Sequence, residues 1–217
     1  RMKWFESMGV NKDNLRLRAH GNDELAHYSS ACYDIEYKFD FGWSELEGIA
    51  DRGTFDLDQH IKASGKKLTY FDQINNQHIV PAVVEASAGV DRALLTILAD
   101  AFTKEEVNGE SRTVLKLSPK IAPIKVAIFP LMNKNNMPEI SQKIVEDIRN
   151  SGIASFYDAG GSIGKRYRRQ DEAGTPFGIT VDHDTMEDNT VTIRDRDTMQ
   201  QERIGIDKIV SVLKNKL

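Results

Sequence analysis

The fold of the first part of the chain follows from the segment ACYDIEYKFDFGWSELEGIADR, residues 31–52. In its first half, aromatic and β-branched side chains alternate with charged ones, which predicts a strand with one packed face and one wet face. The packed face would carry Tyr33, Ile35, Tyr37, Phe39 and Phe41, and the wet face Asp34, Glu36, Lys38 and Asp40. Gly42 ends this run, and residues 43–52 predict a second strand.

The residues that follow predict further strands and a change to helical spacing. Residues 56–63 favour a short helix, and LTYFDQ (68–73) and HIVPAVVEAS (78–87) favour two strands. Pro81 inside the second of these strands indicates an edge position or a bulge. Apolar residues then recur at helical spacing along one face of residues 90–104. This order predicts an antiparallel sheet that carries a helix on one side.

The second part of the chain changes to alternating strands and helices. Residues 105–120 are polar and carry Gly and Pro, so they predict a connection between domains. Beyond them, apolar strands and amphipathic helices alternate, which is typical of a small α/β domain. The predicted strands are IKVAIFPL, ASFYDA, FGITVD and NTVTIRDR, and the predicted helices are residues 137–150, 161–174 and 204–216.

The composition excludes several classes of protein. The 217 residues carry a formal net charge of −4, which argues against a general nucleic-acid coat protein but leaves room for a local basic patch. Cys32 is the single cysteine, so no disulfide within the chain and no cysteine-based zinc site is expected, in keeping with a reducing, cytosolic compartment. The five histidines show no ligand spacing, and we expect no zinc site. No apolar run approaches the length of a membrane span.

Two glutamates on the second strand form the first candidate site. On a regular strand Glu45 and Glu47 point to the same face, whereas Leu46 points to the other. Two like charges on one face repel each other unless a metal, a ligand ammonium or an arginine lies between them. On spacing alone, the favoured interpretation is a solvated sheet face that is neutralised by Arg52 and by nearby lysines.

The segment EASAGVDR, residues 85–92, is the second candidate site. A strand ends in the carboxylate of Glu85, passes through small residues and opens a helix that carries Arg92. Small residues allow a ligand to approach the backbone, and a helix N-terminus with an arginine favours a bound anion such as a phosphate. An ordinary turn from strand to helix explains the pattern equally well.

A basic cluster in the second part is the third candidate. Lys165, Arg166, Arg168 and Arg169 surround Tyr167, and Arg194 and Arg196 follow farther along the chain. Basic side chains interleaved with an aromatic ring suit a nucleic-acid backbone and an unstacked base. The alternative is a solvated helix face whose charge is offset by Asp171 and Glu172.

Together these segments resemble a known family. AHYSSACYDIEYKF, GWSELEGIADRGTFDLDQH and EASAGVDR, in this order, resemble the catalytic domain of the dimeric glycyl-tRNA synthetases, which are class II aminoacyl-tRNA synthetases. LSPKIAPIKVAIFPL, RYRRQDEAGTPFGITVD and TVTIRDRDTMQQERI resemble the C-terminal anticodon-binding domain of that family. The resemblance implies an α+β, antiparallel-sheet part of the catalytic domain over residues 1–114. An α/β anticodon-binding domain with a mixed five-stranded sheet would follow over residues 115–217.

The resemblance also implies roles for particular residues. Arg92 and Glu45 would be catalytic, with Arg92 acting on the ATP phosphates and Glu45 as a possible ligand of Mg²⁺. The implied ATP-binding residues are Glu45, Leu46, Gly89, Val90, Asp91 and Arg92. The implied glycine-binding residues are Arg52, Glu85, Ala86, Ser87, Ala88 and Gly89. The implied contacts with the tRNA anticodon are Arg166, Arg169, Arg194 and Arg196.

By this resemblance the parent protein would be a homodimeric, cytoplasmic enzyme that joins glycine to tRNA(Gly) with ATP and Mg²⁺. The motif 1 and motif 2 segments of the family have no counterpart here, and the chain begins at Arg1. We therefore expect the C-terminal portion of a longer synthetase, which alone should not catalyse glycine-dependent exchange of pyrophosphate into ATP.

Two alternatives remain open at this point. The first is a non-catalytic, synthetase-like accessory or tRNA-binding protein, against which the retained set Glu45, Arg52, Glu85, Ser87 and Arg92 argues. The second is a synthetase for another amino acid. The small residues of EASAG favour glycine, because a substrate without a side chain is selected by excluding every larger one.

Overall fold

The computed structural model describes all residues from Arg1 to Leu217, and they form two compact units, Arg1–Thr96 and Ile97–Leu217. The division falls within helix α3. The elements up to that point are α1 Met2–Ser7, β1 Leu15–Ala19, β2 Ala31–Phe39, β3 Gly42–Asp51, α2 Phe55–Ser64, β4 Tyr70–Asp72, β5 Gln77–Ile79, β6 Val84–Ala88 and α3 Val90–Ala101. They continue with β7 Phe102–Val107, β8 Glu110–Leu115, β9 Val126–Pro130, α4 Met137–Asn150, β10 Ser155–Tyr157, α5 Ile163–Ala173, β11 Phe177–Val181, α6 Thr185–Asp188, β12 Thr190–Asp195, β13 Gln201–Gly205 and α7 Ile209–Lys216.

The first unit is built on a four-stranded antiparallel sheet with the order β1-β2-β3-β6. The long hairpin of β2 and β3 is its centre, as the alternation in residues 31–52 predicted. Ile35, Tyr37 and Phe39 of β2 are buried together with Leu46 of β3 and Phe5 of α1. The predicted antiparallel sheet is confirmed.

The predicted wet face holds for Lys38 and Asp40, which are exposed, but was wrong for Asp34 and Glu36. Asp34 and Glu36 are only 6% and 8% exposed, whereas Tyr33 is 43% exposed. The acidic side chains face basic ones across the ladder: Asp34 Oδ2 lies 2.7 Å from His20 Nε2, and Arg16 Nε donates to Glu36 at 2.5 Å. Charges that are matched across neighbouring strands can be buried, and alternation alone does not reveal that matching.

Glu45 and Glu47 do not share a face of β3, contrary to the prediction. The ladder with β2 pairs Ile35 with Glu47 and Glu36 with Glu45, so Leu46 is an extra residue in a β-bulge. A bulge breaks the period-two alternation of side chains. As a result Glu45 is exposed, while Glu47 is 1% exposed and accepts a hydrogen bond from Arg1 Nε at 2.6 Å.

Three predicted segments of this region differ in their limits. HIVPAVVEAS is divided into two strands at Pro81, because proline lacks the N–H that would continue the ladder. Its first part, β5, pairs with β4 in a separate hairpin, and its second part, β6, joins the main sheet. The predicted helix over residues 90–104 ends at Ala101.

The predicted connection over residues 105–120 contains a β-hairpin instead. Strands β7 and β8 pair antiparallel from Phe102 opposite Leu115 to Val107 opposite Glu110. Asn108 and Gly109 form the two-residue turn, with φ angles of 53° and 80°. Asn-Gly is the preferred sequence of type I′ hairpin turns, which need positive φ at both positions. The polar composition of the segment concealed this signal.

The second unit also contains a mixed five-stranded sheet with the order β10-β9-β11-β12-β13. Strands β10 and β11 run parallel to β9, β12 pairs antiparallel with β11, and β13 pairs antiparallel with β12, which confirms the mixed five-stranded sheet. Residues 204–216 are not one helix, because β13 extends to Gly205 and α7 begins at Ile209. The core between the sheet and helices α4 and α7 includes Ile128, Met137, Ile148, Ile179 and Leu213. Phe129 is also buried, but its ring packs against Tyr167 of α5.

We expect the substitution Gly178→Ala to destabilise this sheet. A Cβ at Gly178 would lie 2.6 Å from Tyr167 Cε1 and 3.1 Å from Phe129 Cε2, so two packed rings would have to move. Overpacking of this kind costs about 1–3 kcal/mol. Hydrogen exchange of the β11 amides measures the loss. Gly164→Ala is the matched control, because a Cβ there meets no atom within 4 Å, and equal effects of the two substitutions would contradict the expectation.

Candidate functional site

The pairing of β3 with β6 brings the two candidate segments of the first unit together. Ala50 lies opposite Glu85, Gly48 opposite Ser87, and the residue after β3 is Arg52. All five residues of β6 are exposed, so Glu85 and Ser87 are accessible to a ligand. The sequence placed these residues far apart, and the sheet makes them neighbours.

Arg52 is held in place by three hydrogen bonds to carboxylates and by contact with an aromatic ring. Its Nη1 donates to Glu85 Oε2 at 2.7 Å, and its Nε and Nη2 donate to the two carboxylate oxygens of Asp56 at 2.6 and 2.8 Å. Its guanidinium carbon lies 4.0 Å from the centre of the Tyr28 ring. The hydrogen bonds to Asp56, and then to Glu85, raise the pKa of Arg52, so it carries its positive charge throughout the accessible pH range.

We expect the ion pair between Arg52 and Asp56 to break only when the pH falls below the ordinary titration range of aspartate. The hydrogen bonds from Arg52 hold the pKa of Asp56 below its usual value of 3.8. Because the folded-state pKa is depressed, the ion pair between Arg52 and Asp56 contributes fully to stability above pH 3.8. This contribution is lost as the pH falls through the folded-state pKa of Asp56. An NMR titration of the carboxyl carbon measures the pKa of Asp56. Arg52→Gln should return the pKa of Asp56 towards 3.8, and an unchanged pKa would contradict the assignment.

Arg92 contacts β3 from the start of helix α3. Its Nη1 donates to the carbonyl oxygen of Glu45 at 2.6 Å, and the helix opens where Ala93 N–H donates to the Gly89 carbonyl. The first N–H groups of a helix have no partner within it and favour an anion. The exposed Glu45 and Arg92 therefore present a carboxylate, a guanidinium and a helix N-terminus side by side.

The remaining predicted residues of this site differ in accessibility. Ala86, Ala88, Gly89, Val90 and Asp91 are exposed. Leu46 is only 2% exposed and belongs to the core, so its backbone rather than its side chain faces any ligand. Gly48 leaves room for Glu45, because a Cβ there would lie 3.3 Å from Glu45 Oε1.

Three of the four predicted anticodon arginines are buried in the second unit. Arg166, Arg194 and Arg196 are 3%, 8% and 2% exposed. Arg196 donates to the carbonyl oxygens of Gly174 and Leu117, and Arg166 donates to three further carbonyl oxygens, those of Pro130, Ala159 and Gly161. Their hydrogen bonds to the protein would have to break before RNA could replace them, which argues against direct contact.

Asp171 joins two of the buried arginines of this unit. Its carboxylate accepts hydrogen bonds from Arg194 Nη1 at 2.9 Å and from Arg112 Nε at 3.1 Å. Arg112 also donates to Glu105 and to the carbonyl oxygen of Arg196. The cluster therefore ties the β7–β8 hairpin to helix α5 and to strand β12.

The accessible arginines of helix α5 are Arg168 and Arg169, which are half exposed. Arg169 donates to Asp158 Oδ2 at 2.6 Å, and Arg168 lies 3.2 Å from Glu110 Oε2. Ion pairs at the surface are weak, so a phosphate can compete for these side chains. Of the four predicted anticodon arginines, Arg169 is the one that RNA can reach in this structure.

Sequence reasoning missed two residues of the first site, Tyr28 and Asp56. Tyr28 supplies the ring beneath Arg52, and Asp56 supplies its bidentate partner. Asp56 had a signal in the sequence: it lies four positions after Arg52 where a helix begins, a spacing that favours ion pairs. Tyr28 had none, because it contacts Arg52 only through the folded sheet.

No helix in the chain is both long enough and apolar enough to cross a membrane.

Comparison with known proteins shows which proteins this chain resembles. Residues 125–216 match the family described as "Anticodon binding domain". The whole chain aligns with glycine–tRNA ligases: it is 52% identical over 216 residues to that of Caldanaerobacter subterraneus subsp. tengcongensis and 48% identical over 225 residues to that of Thermobifida fusca. The chain is homologous to the glycine–tRNA ligases. It is also 49% identical over 218 residues to the enzyme of Chlorobaculum tepidum.

The alignments cover the whole of this chain but 46%, 48% and 46% of these three relatives. The chain therefore spans about half the length of the curated relatives it matches. The resemblance inferred from the order of the sequence motifs is confirmed, and the mixed sheet of the second unit lies within the region matched by the anticodon-binding family.

Proposed function

We propose that this chain supplies one wall of the glycine- and ATP-binding site of a glycine–tRNA ligase, together with its anticodon-binding domain. The observation that carries the proposal is the ion pair between Arg52, directly after β3, and Glu85 of the adjoining strand β6, beside the exposed Ser87. An opposed cation and anion at an accessible sheet end can recognise a small zwitterion. Homology to glycine–tRNA ligases over the whole chain supports glycine as that zwitterion.

The two charges would recognise the two ends of glycine. Glu85 would bind the ammonium, and Arg52 would line the pocket near the carboxylate while Asp56 keeps hold of its guanidinium. Binding would then replace the Arg52–Glu85 contact by two contacts with substrate. Each protein charge stays matched, which avoids the cost of leaving a desolvated charge unpaired.

Selection against larger amino acids would come from the small residues of β6. Ala86, Ser87, Ala88 and Gly89 carry little bulk, so the wall of the site is close to backbone. We propose that Ser87 closes the pocket where a larger substrate would project its side chain. Exclusion is the workable route here, because glycine has no side chain to bind.

ATP would occupy the neighbouring end of the site. Arg92 and the N-terminus of α3 would hold phosphate oxygens, with Glu45, Leu46, Gly89, Val90 and Asp91 around the nucleotide. The exposed carboxylate of Glu45 suits Mg²⁺, which prefers oxygen ligands and keeps several waters. The ion would offset negative charge on the phosphates.

The reaction that this site serves has two steps. The glycine carboxylate attacks the α-phosphorus of ATP, forming glycyl-adenylate and releasing pyrophosphate. A ribose hydroxyl at the 3′ end of tRNA(Gly) then attacks the glycyl carbonyl, forming glycyl-tRNA and releasing AMP. Arg92 would stabilise the charge that develops on the departing pyrophosphate.

We propose that residues 115–217 bind the anticodon of tRNA(Gly) and that residues 1–114 belong to the catalytic part of a homodimeric enzyme. Support comes from the anticodon-binding family match and from the exposed cations of helix α5. Arg169 is the proposed contact for a phosphate. Arg166, Arg194 and Arg196 would instead hold the strand and loop backbone in place, as their carbonyl and Asp171 partners suggest.

The test is glycine-dependent exchange of labelled pyrophosphate into ATP by the full-length protein that carries this chain. We expect exchange with glycine and little with alanine or serine. Equal exchange with alanine or serine would overturn the assignment of the substrate. Absence of exchange together with retained tRNA binding would favour a non-catalytic tRNA-binding protein. The 217-residue chain alone should show no exchange.

A further inference from the structure

A mixed group of metal-binding side chains lies on the β1–β2 edge of the first unit. His20, at the end of β1, and Cys32 and Asp34 of β2 each offer one ligand atom, and these atoms lie within 4.8 Å of one another. The separations in sequence do not follow a familiar zinc pattern, because adjacent strands supply the ligands. This is why counting histidine spacings predicted no zinc site.

The backbone holds these three side chains on one face of the sheet. His20 N–H donates to the carbonyl oxygen of Cys32 at 2.9 Å, so the two residues are neighbours across the strands. Cys32 and Asp34 are two residues apart on one strand and therefore point to the same side. The convergence is thus a property of the ladder and does not depend on flexible side chains.

We propose that His20, Cys32 and Asp34 form a binding site for a divalent transition-metal ion, with zinc as the preferred ion. Thiolate sulfur, imidazole nitrogen and carboxylate oxygen are the three ligand types that zinc uses in proteins. Three protein ligands leave a fourth position of a tetrahedron for water or for a ligand from solution.

The distances require only small movements. Asp34 Oδ2 and His20 Nε2 are 2.7 Å apart. Zinc–nitrogen and zinc–oxygen bonds of about 2.0–2.2 Å place tetrahedral ligand atoms roughly 3.3 Å apart. The ion would replace the shared proton between the two side chains, and the Cys32 thiol would release its proton to the solvent.

The charges around the cluster are compatible with a cation. Asp34 is 6% exposed, and the carboxylate of Glu45 lies beside the same stretch of β3, close to Gly48. Arg18 Nη1 is 3.6 Å from Asp34 Oδ2, but its other Nη donates to Glu24, which matches its charge. A divalent ion would therefore enter a region that is acidic overall.

Cobalt(II) is the probe that tests this site, because a cobalt–thiolate bond gives a charge-transfer band in the near ultraviolet. Cys32 is the single cysteine of the chain, so any such band reports on this residue alone. We expect one cobalt ion per chain, a thiolate band, and loss of the band when zinc is added. No binding, binding without the band, or half an ion per chain would overturn the proposal.

Substitutions separate a three-ligand site from adventitious binding by the thiol. Cys32→Ser should abolish the band, and His20→Ala and Asp34→Asn should each weaken zinc binding by at least about tenfold. His60→Ala, on the exposed surface of α2, is the control and should bind as the native chain does. If His20→Ala and Asp34→Asn both retain native affinity, the proposal is wrong. Circular dichroism of each variant checks that it folds, and the assay requires neither tRNA nor exchange activity.

Discussion

The substitution Asp171→Asn is expected to lower the free energy of unfolding of the second unit by about 3–5 kcal/mol. Asp171 is 5% exposed and is the shared anionic partner of Arg112 and Arg194, which are 7% and 8% exposed. Without its charge the two buried guanidinium groups repel each other. The loss exceeds that of an ordinary hydrogen bond, because the charges that remain stay desolvated.

Native-state hydrogen exchange of the β12 amides measures this loss, because it reports on the second unit alone. Glu110→Gln is the matched control: it removes a carboxylate from an exposed pair with Arg168, and surface pairs contribute about 0–1 kcal/mol. A change for Asp171→Asn that is no larger than the change for Glu110→Gln would show that the buried cluster is not needed for stability.

Arg92→Ala is expected to lower glycine-dependent pyrophosphate exchange by about 10²–10³-fold in the full-length protein that carries this chain. The proposed role places this guanidinium on the phosphates while charge moves onto pyrophosphate. The effect should therefore appear in kcat more than in the KM for glycine. Arg92→Lys should recover only part of the activity, because lysine lacks the two-pronged geometry that matches phosphate oxygens.

Lys62→Ala provides the control for this substitution. Lys62 is an exposed cation on α2 without an ion pair, so its removal changes the net charge of the first unit by the same amount. Exchange should remain at the native level. Equal losses in Lys62→Ala and Arg92→Ala would mean that general charge, and not the position of Arg92 beside Glu45, supports the reaction.

The elements with strong local patterns could be predicted from the sequence. The β2–β3 hairpin, helices α2, α4 and α5, and strands β9, β10, β11 and β12 of the second sheet follow from periodicity, glycine positions and apolar runs. Side-chain periodicity records which face of an element is covered, and most of these elements have one covered face. The β-bulge at Leu46 has no such local record, because it depends on the register with β2.

The chemistry of the site was only partly visible in the sequence. Glu85 and Arg92 were visible because a strand, small residues and a helix follow one another in a short segment. The burial of Arg194 and Arg196 was not visible, because a basic cluster in sequence looks the same whether it faces RNA or its own carbonyl oxygens. Asp171 was interpreted as an offsetting surface charge for the same reason.

The proposed function is tested most directly on the 217-residue chain itself. The quantity to measure is its affinity for the anticodon stem-loop of tRNA(Gly) at several salt concentrations. The account predicts binding that weakens steadily as salt increases, and that falls by about tenfold or more when an anticodon base is changed. Arg169→Ala should reduce the slope against salt. Affinity that is independent of salt, or equal for an unrelated anticodon stem-loop, would contradict the account.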